Sequence, residues 1–188
     1  MKRTVVALME DHPGVLNRVV SVLRRRGFNI DSLTVGHTEL PGISRMTIVV
    51  AGNDDVIEQV IKQLYKIVEG TKVSDISDER LVARELALVK VATNSSNRSE
   101  IMQIVDIYQA KIVDVAADSL MIEVTGNDEK VDSLISLVRA FGIKEVVRTG
   151  RVAMVRGSTV TRPSDDEPDA GNGRTRSAGR LVKQAVGP

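Results

Sequence analysis

The sequence has no cysteine, no tryptophan and only two histidines, and aromatic residues make up 2% of it. Without cysteine there is no disulfide framework, zinc–thiolate site or thiol nucleophile. That composition is compatible with a reducing compartment, and a cytoplasmic location is expected. His12 and His37 stand at no spacing that builds a triad or a metal site. There is no Walker loop and no Gly-x-Gly-x-x-Gly fingerprint. No apolar run approaches the ~20 residues of a membrane span. Lys2 and Arg3 begin like a signal peptide, but Glu10 and Asp11 interrupt that pattern. A net charge of +1 gives no strong pull toward nucleic acid or a membrane surface. RNA-binding sheets need aromatics on their central strands, and the strand-like runs here carry Val, Ala, Met, Thr and Ile. The absences argue against catalysis, nucleic acid and membrane. A small-molecule sensor, a protein-interaction module, or both, remain.

The 188 residues suffice for one medium domain or two small ones, and at 42% hydrophobic they can bury a core of Val, Ile, Leu, Ala and Met. Residues 4–9 are a nearly continuous apolar run, the mark of a strand covered on both faces. Val15, Leu16, Val19, Val20, Val22 and Leu23 recur at helical spacing. Arg24-Arg25-Arg26 suits the negative end of that helix, with contact to phosphate or an acidic partner as the alternative, and Gly27 is the expected stop. A strand over 28–38, turn chemistry at Glu39-Leu40-Pro41-Gly42 and a strand over 44–51 follow. Met46, Ile48 and Val50 share a face of the latter. After the turn and cap Gly52-Asn53-Asp54, Val56, Ile57, Val60, Ile61 and Leu64 stripe a second helix. A strand over 71–76 closes the unit.

The order βαββαβ is the ferredoxin-like pattern. Right-handed crossovers put both helices on one face of a four-stranded antiparallel sheet. The other face, and the edge strand 28–38, need covering.

The pattern then repeats. Residues 85–92 read as a strand. Asn97 and Glu100 resemble a capping box before Ile101, Ile104, Val105 and Tyr108. Residues 111–116 and 120–125 form a hairpin, Val131, Leu134, Ile135 and Val138 stripe a helix that Gly142 ends, and 143–155 give one strand or two, bent at Thr149-Gly150. Gly52-Asn53-Asp54-Asp55-Val56 is echoed by Gly126-Asn127-Asp128-Glu129-Lys130-Val131. The predicted class is α+β: two tandem ferredoxin-like units, 1–78 and 85–157, joined by a linker 79–84. A disordered tail, 158–188, is rich in Gly, Pro, Ser, Asp and Arg and too poor in apolar residues to offset its ordering entropy. Within it, 174–186 has the spacing of a short amphipathic helix.

The stretch Glu10-Asp11-His12-Pro13-Gly14-Val15-Leu16 joins the first strand to the first helix. Pro13 suits a first helical turn, Asp11 or His12 can cap it, and Gly14 leaves the backbone open to a neighbour. The free N–H groups of Gly14, Val15 and Leu16, at the positive end of the helix dipole, suit a small carboxylate. An ordinary capped helix is the plainer reading. The second unit has Ala92-Thr93-Asn94-Ser95-Ser96-Asn97 at this place, so it is not expected to bind the same ligand in the same way.

That stretch, with Arg25-Arg26-Gly27-Phe28-Asn29-Ile30-Asp31-Ser32-Leu33-Thr34-Val35 and Ser44-Arg45-Met46-Thr47-Ile48, resembles the ACT domain of the small regulatory subunit family of acetolactate synthase. Leu88-Val89-Lys90-Val91 and Arg148-Thr149-Gly150-Arg151-Val152-Ala153 resemble that family's C-terminal domain. The likeness spans about residues 2–157 and not the tail. It implies a chain without an active site, which binds and activates a catalytic (large) subunit and confers feedback inhibition by valine or another branched-chain amino acid. The partner, not this chain, is expected to carry thiamine diphosphate, Mg and FAD. The resemblance further implies a homodimer through the ACT domains, with the effector at their interface. The matching site residues are Asp11, His12, Pro13, Gly14, Val15, Leu16, Phe28, Asn29 and Ile30. The Asn29 amide has donors and an acceptor for an effector's carboxylate and ammonium, and Ile30 can line an apolar slot. Some members carry Asn where this chain has Asp11. A free-standing amino-acid sensor and a pure scaffold are the alternatives.

Overall fold

The structure is a computed structural model that describes residues 2–161. The tail expected over 158–188 lies outside the described residues from 162 onward, and so does the helix expected over 174–186.

The first unit is β1 (Lys2–Glu10), α1 (Val15–Arg25), β2 (Ile30–His37), β3 (Ile43–Ala51), α2 (Asp54–Leu64) and β4 (Gly70–Asp75). Its antiparallel sheet has the order β2-β3-β1-β4, with β2 at an edge as expected. Val5, Ala7 and Met9 of β1 and Met46, Ile48 and Val50 of β3 meet Val15, Val19 and Leu23 of α1 and Ile57, Val60 and Leu64 of α2 in one core. The helical residues lie three or four apart, so each helix turns a single stripe inward. Helix α1 stops where Gly27 takes φ 70°, and the Phe28 N–H donates to the Leu23 carbonyl at 3.3 Å, a glycine C-terminal cap.

The second unit is β5 (Leu81–Ala92), α3 (Arg98–Ile107), β6 (Lys111–Val115), β7 (Ser119–Gly126), α4 (Asp128–Val138), a 3-10 turn (Arg139–Phe141), β8 (Ile143–Arg148) and β9 (Val152–Val155). Its sheet order β6-β7-β5-β8 repeats the first plan, and the end of the chain resolves into two strands. The echoed motifs serve the same purpose. Asn53 and Asn127 accept hydrogen bonds from the N–H groups of Val56 and Lys130, each at 3.2 Å. Asn97 does not: α3 has no side-chain cap, because the Asn97 Oδ1 accepts instead from the Asn94 N–H and the Thr93 hydroxyl.

Two boundaries differ from expectation: Phe28, Asn29 and Thr38, expected in a strand over 28–38, lie outside β2, and the linker is shorter. Residues 81–84, expected in the linker, are strand, pairing Leu81 with Val155 through Arg84 with Val152. The cause is a third core: Val6 and Ile76 of the first unit pack under Ala153, Val155, Leu81 and Ala83. The face of the first sheet opposite its helices is thus covered by β9 and the start of β5. Strand β5 then continues as the central strand of the second sheet.

Charge pairs fasten the start of β1 to the end of β4 and the residues after it. Arg3 lies 2.8 Å from Asp75 and 2.9 Å from Asp78. Burial pushes the Asp75 carboxyl up, but hydrogen bonds from Ser77 and Arg3 outweigh that and hold it below its ordinary range. Burial likewise pushes Asp128 up, and Arg151 outweighs it. A carboxylate whose folded-state pKa is depressed stabilises fully above its unfolded value, about 3.9, and loses that contribution as pH falls through the folded value. Denaturation midpoints should therefore hold from neutral pH to about pH 5 and drop below about pH 4. Asp75→Asn should flatten that drop; an unchanged acid limb would contradict the assignment.

Candidate functional site

The turn between β1 and α1 is built differently from its sequence-level expectation. Gly14 is the residue flanking the helix, at φ 92° and ψ −14°, and no side chain caps α1. The dipeptide Pro-Gly sets this: Pro13 fixes the entry and Gly14 takes a left-handed conformation, so the helix starts at Val15 and Pro13 stands outside it. Asp11 turns to His37 at the end of β2, with Oδ2 3.1 Å from Nδ1, and His12 lies 3.0 Å from Glu10. Of the three expected free donors, the Val15 N–H is used by the His12 carbonyl at 3.3 Å. Those of Gly14 and Leu16 stand at the open end of the helix. Asp11, His12, Pro13, Gly14 and Leu16 are exposed, whereas the Val15 side chain is in the core.

Phe28 and Ile30 are half-buried against the same core, and Asn29 between them is exposed. The Asn29 carbonyl accepts from the Ala51 N–H at 3.1 Å, which fixes the backbone and leaves the amide outside.

Within one chain these two groups do not converge. The eleven residues of α1 separate them, which at 1.5 Å per residue is about 16 Å. The sheet register agrees: Ile30 stands opposite Val50 at one end of β2, and His37 opposite Ser44 at the other. The start of α1 therefore neighbours the end of β2, and Asn29 neighbours its beginning. His37, which the sequence reading did not place at the site, joins the first group through Asp11.

Strand β2 has a free edge beside this surface. Val35, opposite Met46 on the helix-side face, is exposed, and so are Leu16 and Val20 on α1. A free edge flanked by apolar side chains invites pairing with another strand.

The corresponding turn of the second unit is closed on itself. Asn94 Oδ1 accepts from the N–H groups of Ser96 and Asn97 at 2.9 and 3.1 Å. Asn94 thus takes up two backbone donors at this turn. Among the described residues no cluster of His, Cys, Asp or Glu is placed to hold a metal, and no helix is long and apolar enough to cross a membrane.

Comparison with known proteins bears on both units. Residues 6–71 match the AHAS small subunit-like ACT domain, and residues 84–157 match the family described as the small subunit of acetolactate synthase. A probable acetolactate synthase small subunit of Archaeoglobus fulgidus is 56% identical over 84% of this chain and 99% of its own length. The acetolactate synthase small subunit of Bacillus subtilis is 46% identical over 84% and 92%. The crystal structure of the acetolactate synthase small subunit of Thermotoga maritima superposes with a TM-score of 0.78 at 43% identity, covering 85% of this chain and 99% of that one. With both units matched and this identity over nearly the whole length of its relatives, the chain belongs to the acetolactate synthase small-subunit family.

Proposed function

We propose that this chain is the non-catalytic regulatory subunit of an acetolactate synthase. It binds and activates the catalytic subunit, and it confers feedback inhibition by valine or another branched-chain amino acid. The thiamine diphosphate, Mg and FAD belong to that partner. The effector sits at a seam between two ACT domains, on Asp11 to Leu16 of one copy and Phe28, Asn29 and Ile30 of the other.

The observation that carries this reading is the separation of the two residue groups to opposite ends of an edge strand. A two-fold seam pairs β2 antiparallel with its mate. The beginning of one β2 then meets the end of the other, and Asn29 of one copy meets the turn of the next. The donors of Gly14 and Leu16 take the carboxylate, Asp11 favours the ammonium, and the Asn29 amide bridges both. Leu16, Ile30 and neighbouring aliphatics line the slot. Such a slot separates valine from leucine or isoleucine only weakly, because one methylene is worth about 1–3 kcal/mol.

The test is acetolactate formation by the catalytic subunit from the same organism, with and without this chain and with and without valine. Stimulation that valine reverses supports the whole reading. Stimulation with no response to valine, leucine or isoleucine removes the effector half of it. No stimulation removes the partner, and favours a free-standing sensor.

Gly14→Asp should weaken effector binding by tenfold or more, about 1.4 kcal/mol. An added Cβ meets no atom within 4 Å there, so the expected causes are a second carboxylate at the helix start and a left-handed φ. Gly14→Ala separates the two, since it keeps the strain and omits the charge. Titration calorimetry reads both; wild-type affinity in Gly14→Asp would reduce the turn to a helix start.

A further inference from the structure

The two units meet along the covered face of the first sheet, and most of that contact lies on the central strands. Val6 of β1 is packed under β9. Arg45 of β3 donates to the Ala153 carbonyl and the Thr161 hydroxyl, each at 2.8 Å. One contact lies on the edge strand. The Thr34 hydroxyl is 3.2 Å from the Arg151 carbonyl and 3.4 Å from that of Thr149, and the Arg151 N–H donates to the Ser32 hydroxyl at 3.4 Å. Gly150 is pressed between them. It holds φ +85°, and a Cβ on it would stand 3.0 Å from the Ser32 Cβ and 3.1 Å from the Thr34 Oγ1. A side chain is disfavoured there by backbone conformation and by space.

The turn is tied equally well to its own unit. Thr149 N–H donates to the Leu86 carbonyl at 3.0 Å, and the Leu86 N–H returns a bond to the Thr149 hydroxyl at 3.2 Å. Arg151 donates through Nη2 and Nε to Asp128, at 2.5 and 3.3 Å, in the first turn of α4, and through Nη1 to Thr4 of β1 at 2.9 Å. The turn 149–151 therefore joins β2 and β1 of the first unit to β5 and α4 of the second.

We infer that the turn Thr149-Gly150-Arg151, seated on Ser32 and Thr34, is the element that couples the edge strand of the first unit to the second unit. This rests on the effector reading proposed above. Strand β2 is bonded on one side only, and its register shifts between Ile30 and Ser32. Within one chain it lacks the second neighbour that holds β1 and β3 in place, and in the proposed seam only the mate's β2 takes that place. Its beginning carries Asn29 and Ile30, two to three residues before Ser32. A ligand that draws the start of β2 toward a second copy also displaces Ser32 and Thr34, and the second unit must follow through Gly150 and Arg151. A ligand shifts such an equilibrium only by its differential affinity for the two arrangements, so loosening the joint should leave binding and remove the response.

The experiment uses the complete chain with its catalytic subunit. Thr34→Val removes one hydroxyl at nearly constant shape, and Gly150→Ala crowds the contact. Valine affinity is read by titration calorimetry, stimulation by the rate without valine, and coupling by the inhibition at saturating valine. The expected result is a dissociation constant within twofold of wild type, stimulation retained, and maximal inhibition reduced about fivefold or more. Amide hydrogen exchange adds a readout that a static contact would not move: valine should change protection at residues 149–156 in the unsubstituted chain and not in Thr34→Val. Full inhibition at saturating valine in both variants overturns the coupling, and so does an inhibition loss that only follows a loss of affinity. If Gly150→Ala does not fold, Thr34→Val decides alone. An unsubstituted chain that binds no branched-chain amino acid overturns the effector reading itself, and is seen before any variant is made.

Discussion

Asn29→Ala is expected to abolish inhibition by the branched-chain effector while the chain still stimulates its catalytic subunit. The position permits a clean substitution. Asn29 is exposed, and its backbone is held by the Ala51 N–H at 3.1 Å whatever side chain it carries. Exposed substitutions away from cores and caps usually change stability by less than about 0.5 kcal/mol. The side chain itself offers two donors and an acceptor on one planar group. In the proposed seam it faces a carboxylate and an ammonium. Hydrogen bonds to charged groups are each worth about 1.5–3 kcal/mol, so losing both should lower affinity by about a hundredfold or more. The measurement is the inhibition curve beside a thermal melt. An unchanged curve in a normally melting variant removes Asn29 from the site. A lost response with lost stimulation places the residue at the contact with the catalytic subunit instead.

Local chemistry made much of the fold legible. Gly27 stops α1 and Asn53 and Asn127 cap α2 and α4 because each acts on backbone groups within four residues of itself. The apolar stripes of the helices and the run in β1 act through periods that the sequence displays directly. What was not legible depends on distant partners. Residues 81–84 are strand because β9 lies beside them, some seventy positions away, and no local signal announces that. The dipeptide Pro13-Gly14 reads two ways, as a helix that begins at Pro13 or as a turn that ends at Gly14, and the backbone chose the second. Of the expected site residues, Val15 and Leu16 fall on α1 and Ile30 on β2, while Asp11 to Gly14, Phe28 and Asn29 fall in the connections beside them, and the separation of the two groups could be read from the helix length. The motif runs on either side of α1, and the length of that helix already keeps its two ends apart.

A chain ended at Asp78 is expected to aggregate rather than to act as a stand-alone sensor. It would retain every strand and helix of the first unit, yet lose the cover of one sheet face. Thr4, Val6, Thr47, Val49 and Ile76 are at most 3% exposed in the complete chain. Val6 and Ile76 are packed there by Ala153, Val155, Leu81 and Ala83, all of them beyond the cut. Arg45 would also lose the Ala153 carbonyl and the Thr161 hydroxyl. Burying one Val or Ile side chain is worth about 1.5–3 kcal/mol, so uncovering Val6, Val49 and Ile76 forfeits roughly 5 kcal/mol or more. That is as large as the whole stability of many small domains, and the newly bare apolar face would lie beside the free edge of β2. Light scattering on the truncated chain reads the result. A soluble fragment that binds valine would show that the first sheet does not depend on the second unit for cover, and would favour the free-standing sensor. Aggregation of the fragment, with Ala153→Asp in the complete chain folded but destabilised, would place the cause at that face. The second unit would then be part of the first unit's core, and sensing and coupling could not be divided between separable domains.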